Sequence, residues 1–209
     1  KGRHGLTPAA YMEKHGIFDS PTTAAHCVWL EDEDFDILKR HGVTVACCPA
    51  SNLKLASGYA NVPKMLESGI NVALGTDGAA SNNNLNIMQD MYLFGVVYKG
   101  YFRDPTIITP AEVLHAATRA GALSQGRADS GLLAVGMRAD LCVLNTDTPQ
   151  FTPMTSAACN VVYAAQGADI RMTMVDGEVL YRDGEFKTID IEKVKAEVQR
   201  RTDSILSRL

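Results

Sequence analysis

The sequence has 209 residues, 46% of them hydrophobic and 21% charged, with a formal net charge of −4. This mildly acidic balance gives no electrostatic support to nucleic-acid or anionic-membrane binding, and no apolar run approaches the ~20 residues of a membrane span. The length suits one domain with an appendage, or a piece of a larger barrel.

Lys1-Gly-Arg-His-Gly5 contains neither an initiator Met nor a signal-peptide pattern, which predicts a truncated N-terminus. Thr7 and Pro8 then read as the N-cap and first turn of a helix ending at Gly16. Residues 22–29 are rich in strand formers and place His26 near the end of the run. Four acids, Glu31 to Asp34, open a second helix with Phe35 and Leu38 on its inner face and Gly42 at its stop. Val43 to Cys48 is a second strand closed by Pro49, followed by a polar loop over 51–58. A short helix over 62–68 leads to a third strand, Asn71 to Leu74. Strand, helix, strand, helix, strand with brief links predicts a parallel sheet.

That third strand stops at Gly75, and Asp77 follows at once. A carboxylate in a Gly-rich loop after a strand is how a parallel α/β sheet presents chemistry at its C-terminal edge. Asp77-Gly78 is equally a common turn pair, and both readings stand at this point. A long helix follows, with Ile87, Met91, Phe94, Tyr98 and Phe102 along one side and further apolar residues around it, which predicts burial or a partner. Thr109-Pro-Ala-Glu112 is a capping box opening another helix that ends near Gly121.

After about Gly131 the pattern changes. Ala139 to Leu144 reads as a strand, and residues 169–175 and 178–181 as two more joined by an Asp176-Gly177 hairpin turn, with a second turn at Asp183-Gly184. Asp190 caps a last helix, with Val194, Val198, Ile205 and Leu209 expected inward and Glu197 and Arg201 paired on the outer face. The odd count of five cysteines, mostly in apolar runs and without a Cys-x-x-Cys, predicts buried free thiols in a reducing cytoplasm. Cys47 and Cys48 are adjacent, so on a strand they face opposite ways and chelate one metal poorly.

His26 and Asp77 each end a strand of the same predicted sheet, with the 43–48 strand between them. Side chains from alternate strands can converge over a barrel mouth, where an imidazole beside a carboxylate binds a metal or moves protons. A lone histidine at a strand end is more often structural, so the residues alone leave both readings open.

Ala24-Ala-His-Cys-Val-Trp-Leu30, Pro49-Ala-Ser-Asn-Leu-Lys-Leu-Ala-Ser-Gly58 and Leu74-Gly-Thr-Asp-Gly-Ala-Ala-Ser-Asn-Asn83 resemble signatures of the amidohydrolase superfamily. They are most similar to the 5-methylthioadenosine/S-adenosylhomocysteine deaminases and the related triazine hydrolases. Gly136-Met-Arg-Ala-Asp-Leu141 and Met174-Val-Asp-Gly-Glu178 resemble the C-terminal β segment of that family. The resemblance implies an α/β fold: the C-terminal part of a TIM (β/α)8 barrel (strands six to eight), part of a small β-sandwich domain and a C-terminal helix. The corresponding divisions are 1–130, 131–189 and 190–209.

The implied activity is metal-dependent hydrolytic deamination of an adenosine-like nucleoside. Asp77, after the eighth strand, would ligate a divalent metal of the Zn2+ type, take the proton of the attacking water and contact substrate. His26, after the sixth strand, would orient and polarise that water. Trp29, Ser51 and Asn52 are candidate substrate contacts; Ser51, Asn52, Ser81 and Asn82 fit equally well as caps and turn residues.

The sequence departs from the family in having no His-x-His and no His-x-x-Glu, and in carrying Cys47-Cys48-Pro49 and Trp29 where the family often has His-Asn-Pro and His. His4, His15, His41 and His115 match no ligand position. Catalytic zinc takes three protein ligands plus water, so the other ligands are expected on N-terminal sequence outside these residues. The fragment would be inactive alone. Its unpaired barrel edge predicts a homo-oligomer or a missing N-terminal half. The runner-up is a triazine or other aminated-heterocycle hydrolase; an alternative of another class is a non-catalytic amidohydrolase-like subunit.

Overall fold

The computed structural model describes residues 2–209. Helix α1 (Pro8–Lys14) is capped by Thr7, whose hydroxyl accepts from the Ala10 amide. Strand β1 (Thr23–Ala25) and helix α2 (Asp32–Arg40) follow. Asp34, fully buried in the first turn of α2, accepts from the amides of Ala9 (3.1 Å) and Glu31 (2.8 Å), so one carboxylate ties α1 to α2. Next come β2 (Thr44–Cys47), α3 (Pro49–Lys54), α4 (Val62–Glu67) and β3 (Val72–Leu74).

These three strands form one parallel sheet in the order β1-β2-β3. Val45, Cys47 and Val72 leave one face of it and join Phe35, Leu38, Met65, Phe94, Tyr98 and Val113 in the core. Residues two apart on a strand share a face, which is why Val45 and Cys47 act together. β2 is paired on both sides; among the described residues, β1 and β3 each leave one edge unpaired.

After β3 come α5 (Ala79–Asn82) and the long α6 (Ile87–Phe102). The inner side of α6 is Met91, Phe94 and Tyr98, as its spacing predicts, but Phe102 is 41% exposed because the helix runs past the core in its last turn. Helix α7 (Pro110–Ala117) starts from the expected capping box, the Glu112 carboxylate accepting from the Thr109 amide at 2.6 Å. It breaks at Thr118 and continues as α8 (Arg119–Ser124), beyond the expected stop at Gly121.

The remainder comprises β4 (Leu141–Leu144), α9 (Ala157–Tyr163), β5 (Ile170–Val175), β6 (Glu178–Arg182), β7 (Glu185–Phe186) and α10 (Ile191–Leu206). The four strands form one antiparallel sheet, β4-β5-β6-β7, with the predicted hairpin at Asp176-Gly177. Helix α9 packs on α6 and α7, where Gly95 lets Val162 and Tyr163 approach the α6 backbone.

Several expectations are corrected. Residues 51–54 are helical rather than loop: Pro49 supplies the first turn of α3, and Pro49 to Asn52 are all buried. The strand expected over 22–29 ends at Ala25, because His26 and Cys27 take left-handed backbone angles (φ 65° and 47°). Val194, Val198, Ile205 and Leu209 do not point inward: no residue of α10 is buried. The Glu197–Arg201 pair does form, at 2.7 Å. All five thiols are free, but Cys142 and Cys159 are exposed rather than buried. No helix of the described residues is long and apolar enough to cross a membrane.

Candidate active site

The C-terminal ends of β1 and β3 are pinned to the strand between them. The His26 amide donates to Ala46 O (2.8 Å) and the Gly75 amide to Cys47 O (2.9 Å), each continuing the ladder one residue past its strand. The chain then turns sharply on both sides of β2. His26 and Asp77 (φ 61°) both occupy the left-handed region, which L residues other than Asn and Asp rarely enter. These turns carry the two side chains toward each other, and His26 Nε2 lies 4.0 Å from Asp77 Oδ2. Both remain solvent-accessible, with side-chain exposures of 39% and 30%.

Asp77 is heavily hydrogen-bonded. Ser51 Oγ and Ser81 Oγ donate to Oδ2 at 2.6 and 2.7 Å, and the Gly78 amide donates to Oδ1 at 2.7 Å. Every donor favours the ionised form, led by Ser51, so the carboxyl titrates at about 2. On the other side, Asn52 Oδ1 lies 2.9 Å from His26 Nδ1. Ser51 and Asn52, 1% and 3% exposed, thus each brace one member of the pair from adjacent positions on α3.

Asp90 supports this shell from below and escapes the sequence reading. It lies on α6, 1% exposed, and accepts from the Ala50 amide (3.1 Å) and Asn82 Nδ2 (3.0 Å). Asn82 Nδ2 also donates to Thr76 O at 2.7 Å, beside Asp77. One carboxylate therefore ties the start of α3 to the loop around Asp77, and burial pushes its pKa up. The signal was a single acid in an otherwise apolar helix. Asn82 is a buried brace; Ser81 reaches Asp77.

Trp29 stands apart: its side chain flanks Gly58 and it is 79% exposed. Cys48 lies under the Asp77 loop near Gly75, its thiol pushed up to about 11 by burial and by the Asp77 charge. Cys47 faces the other way and meets Tyr98 Oη at 3.1 Å in the core. Of the other histidines, His41 pairs with Glu13 at 2.7 Å and His4 stacks on Tyr11.

Among the described residues no group of three or more His, Cys, Asp or Glu side chains could hold a metal ion. The local chemistry nonetheless suits one ligand. An ionised carboxylate offers about four acceptor positions, and Asp77 receives three donors.

Comparison with known proteins gives the family. The model of the amidohydrolase family matches residues 1–180, and the chain belongs to that family. It is 41% identical over 208 residues to a 5-methylthioadenosine/S-adenosylhomocysteine deaminase of Dictyoglomus thermophilum, covering all of this chain and 49% of that protein. The chain thus spans about half the length of the curated relatives it matches. Among solved structures it is similar to an adenosine deaminase from Xanthomonas campestris with bound zinc (TM-score 0.94, 28% identity, 99% of this chain and 47% of that one). It is also similar to a zinc-complexed atrazine chlorohydrolase from Arthrobacter aurescens TC1 (TM-score 0.87, 28% identity, 94% and 44%). The mixed α/β fold is that of amidohydrolase structures.

Proposed function

We propose that this chain is the C-terminal part of a metal-dependent hydrolytic deaminase of an adenosine-like nucleoside, supplying one metal ligand and one water-orienting group to a site completed by other sequence. The observation that carries the reading is the meeting of His26 and Asp77 at 4.0 Å across β2. In this reading β1, β2 and β3 are strands six to eight of a (β/α)8 barrel. Residues 1–130 are its barrel portion, 131–189 a β-rich segment and 190–209 a terminal helix. The two unpaired edges of the sheet and the half-length match to the relatives support that division.

Asp77 is held ionised by Ser51, Ser81 and Gly78, and its remaining acceptor position would serve as a metal ligand. The bound divalent metal, Zn2+ by analogy with the zinc-bound neighbours, would lower the pKa of water from ~15.7 to ~7. His26, 4.0 Å from Asp77, is placed to orient and polarise the attacking water, and Asp77 to take its proton. Water adds to the amino-bearing ring carbon, the amino group takes up a proton, and ammonia leaves with a carbonyl formed in its place.

With a single metal ligand of its own, the 209-residue chain alone is expected to release no ammonia. The test is metal analysis and an ammonia-release assay on the complete protein with a panel of 5′-modified adenosines and aminotriazines. A stoichiometric divalent metal with release from the nucleosides supports the reading; a metal-free, inert complete protein refutes it. Turnover of triazines alone would favour the second reading, which rests on the likeness to the atrazine chlorohydrolase.

A further inference from the structure

The geometry points to Asn52 as the positioning residue that keeps the His26 proton on Nδ1 and leaves Nε2 a bare acceptor facing Asp77. The catalytic consequence rests on the function proposed above; the tautomer itself does not. The Asn52 backbone is fixed in α3: its backbone N–H donates to Cys48 O (3.0 Å), its backbone C=O accepts from the Ser57 N–H (2.8 Å), and the residue is 3% exposed. The helix that carries it is anchored two residues earlier, where the Ala50 amide meets buried Asp90. What Asn52 offers the ring is Oδ1, at 2.9 Å from Nδ1. An amide oxygen only accepts, so Nδ1 must donate, and a neutral imidazole then has its lone pair on Nε2.

The assignment rests on the Asn52 contact at Nδ1; the group recorded nearest Nε2 is the Asp77 carboxylate. Asp77 Oδ2, at 4.0 Å, is an acceptor too far away for a direct hydrogen bond. The Ser51 hydroxyl donates to that same oxygen, and the Ser81 hydroxyl lies within donating reach of it (2.7 Å) and of Gly78 O (3.0 Å). Nε2 is therefore an acceptor beside the Asp77 carboxylate, complementary to a molecule that brings a donor hydrogen. Water is such a molecule, and the nucleophile of a hydrolytic deamination is water. With the proton on Nε2 instead, the ring would present a donor to the nucleophile and could not accept a hydrogen bond from it.

The test is long-range 1H–15N correlation of histidine side chains in the complete, zinc-loaded protein, with the His26 signals assigned by loss in His26→Gln. The expected pattern is a protonated Nδ1 and an unprotonated Nε2. Asn52→Ala is expected to move the proton to Nε2 and to lower kcat roughly ten- to hundredfold, with KM within about twofold. Asn52→Asp, which keeps an acceptor at the same place, is expected to restore the Nδ1–H pattern. A wild-type Nε2–H pattern, which the amide turned the other way would impose, overturns the inference. So does an Asn52→Ala protein with an unchanged tautomer, or one whose loss falls on KM. If Asn52→Ala does not fold, the wild-type and Asn52→Asp spectra decide. A protein with the expected tautomer that releases no ammonia refutes the proposed function and leaves the role of Asn52 on the ring intact.

Discussion

Asp90→Ala removes the carboxylate that joins two parts of the candidate site. It strands the Ala50 amide and takes one of two acceptors from Asn82 Nδ2, which keeps Thr76 O. A buried donor left without a partner costs roughly 1–3 kcal/mol, more beside a charged partner. Against this, removing Asp90 relieves the burial of a carboxylate, whose raised pKa records that cost. The net loss is expected to be about 1–3 kcal/mol. Asp90→Asn keeps one acceptor and turns its NH2 toward the other donor, so its loss should be about 1–3 kcal/mol. Equilibrium urea unfolding measures both. Because α3 carries Ser51 and Asn52, and the tied loop carries Asp77, activity of the complete protein should fall by more than the unfolded fraction accounts for. Midpoints within about 0.5 kcal/mol of the parent for both variants would refute the view of Asp90 as a structural tie.

Ser51→Ala removes the strongest donor to Asp77, so the carboxyl pKa should rise from about 2 toward 3.8, read by 13C carboxyl titration. A folded pKa below the unfolded one gives stability that is present above the unfolded value and lost as pH falls toward 2; the substitution should narrow that window. Gly131→Ala should cost roughly 2–4 kcal/mol in urea unfolding, since φ is +81° and the added Cβ would lie 2.8 Å from Arg119 Cα and 3.0 Å from Thr118 O. Trp29→Ala, at a side chain 79% exposed, should change stability by less than about 0.5 kcal/mol; if the side chain covers bound nucleoside, KM rises while kcat holds.

The parallel sheet was legible because three short apolar runs are bounded by Gly, Pro and acidic helix starts. Their ends were less so: nothing in the side-chain pattern announces that His26 and Cys27 turn left-handed, and the strand was read four residues too long. Helix α3 was hidden by its own polarity. Ser51 and Asn52 resemble a loop in sequence because the helix directs polar groups toward the His26–Asp77 pair instead of toward solvent. The reverse happened at α10, where Val194, Val198, Ile205 and Leu209 recur at helical spacing and yet remain exposed. Periodicity identifies a stripe but not what covers it. Asp90 was readable in principle, as the acid an apolar helix should not tolerate unless something buried needs it.

The left-handed backbone at His26 and Asp77 has an evolutionary consequence. For His26 that conformation costs about 1–2 kcal/mol, less for Asp77 because Asp tolerates it, and glycine at either position would relieve it. A lineage selected only for thermal persistence would drift toward glycine at both turns and lose its imidazole and its acid together. In this chain the two turns instead carry an imidazole and an acid to within 4.0 Å of each other.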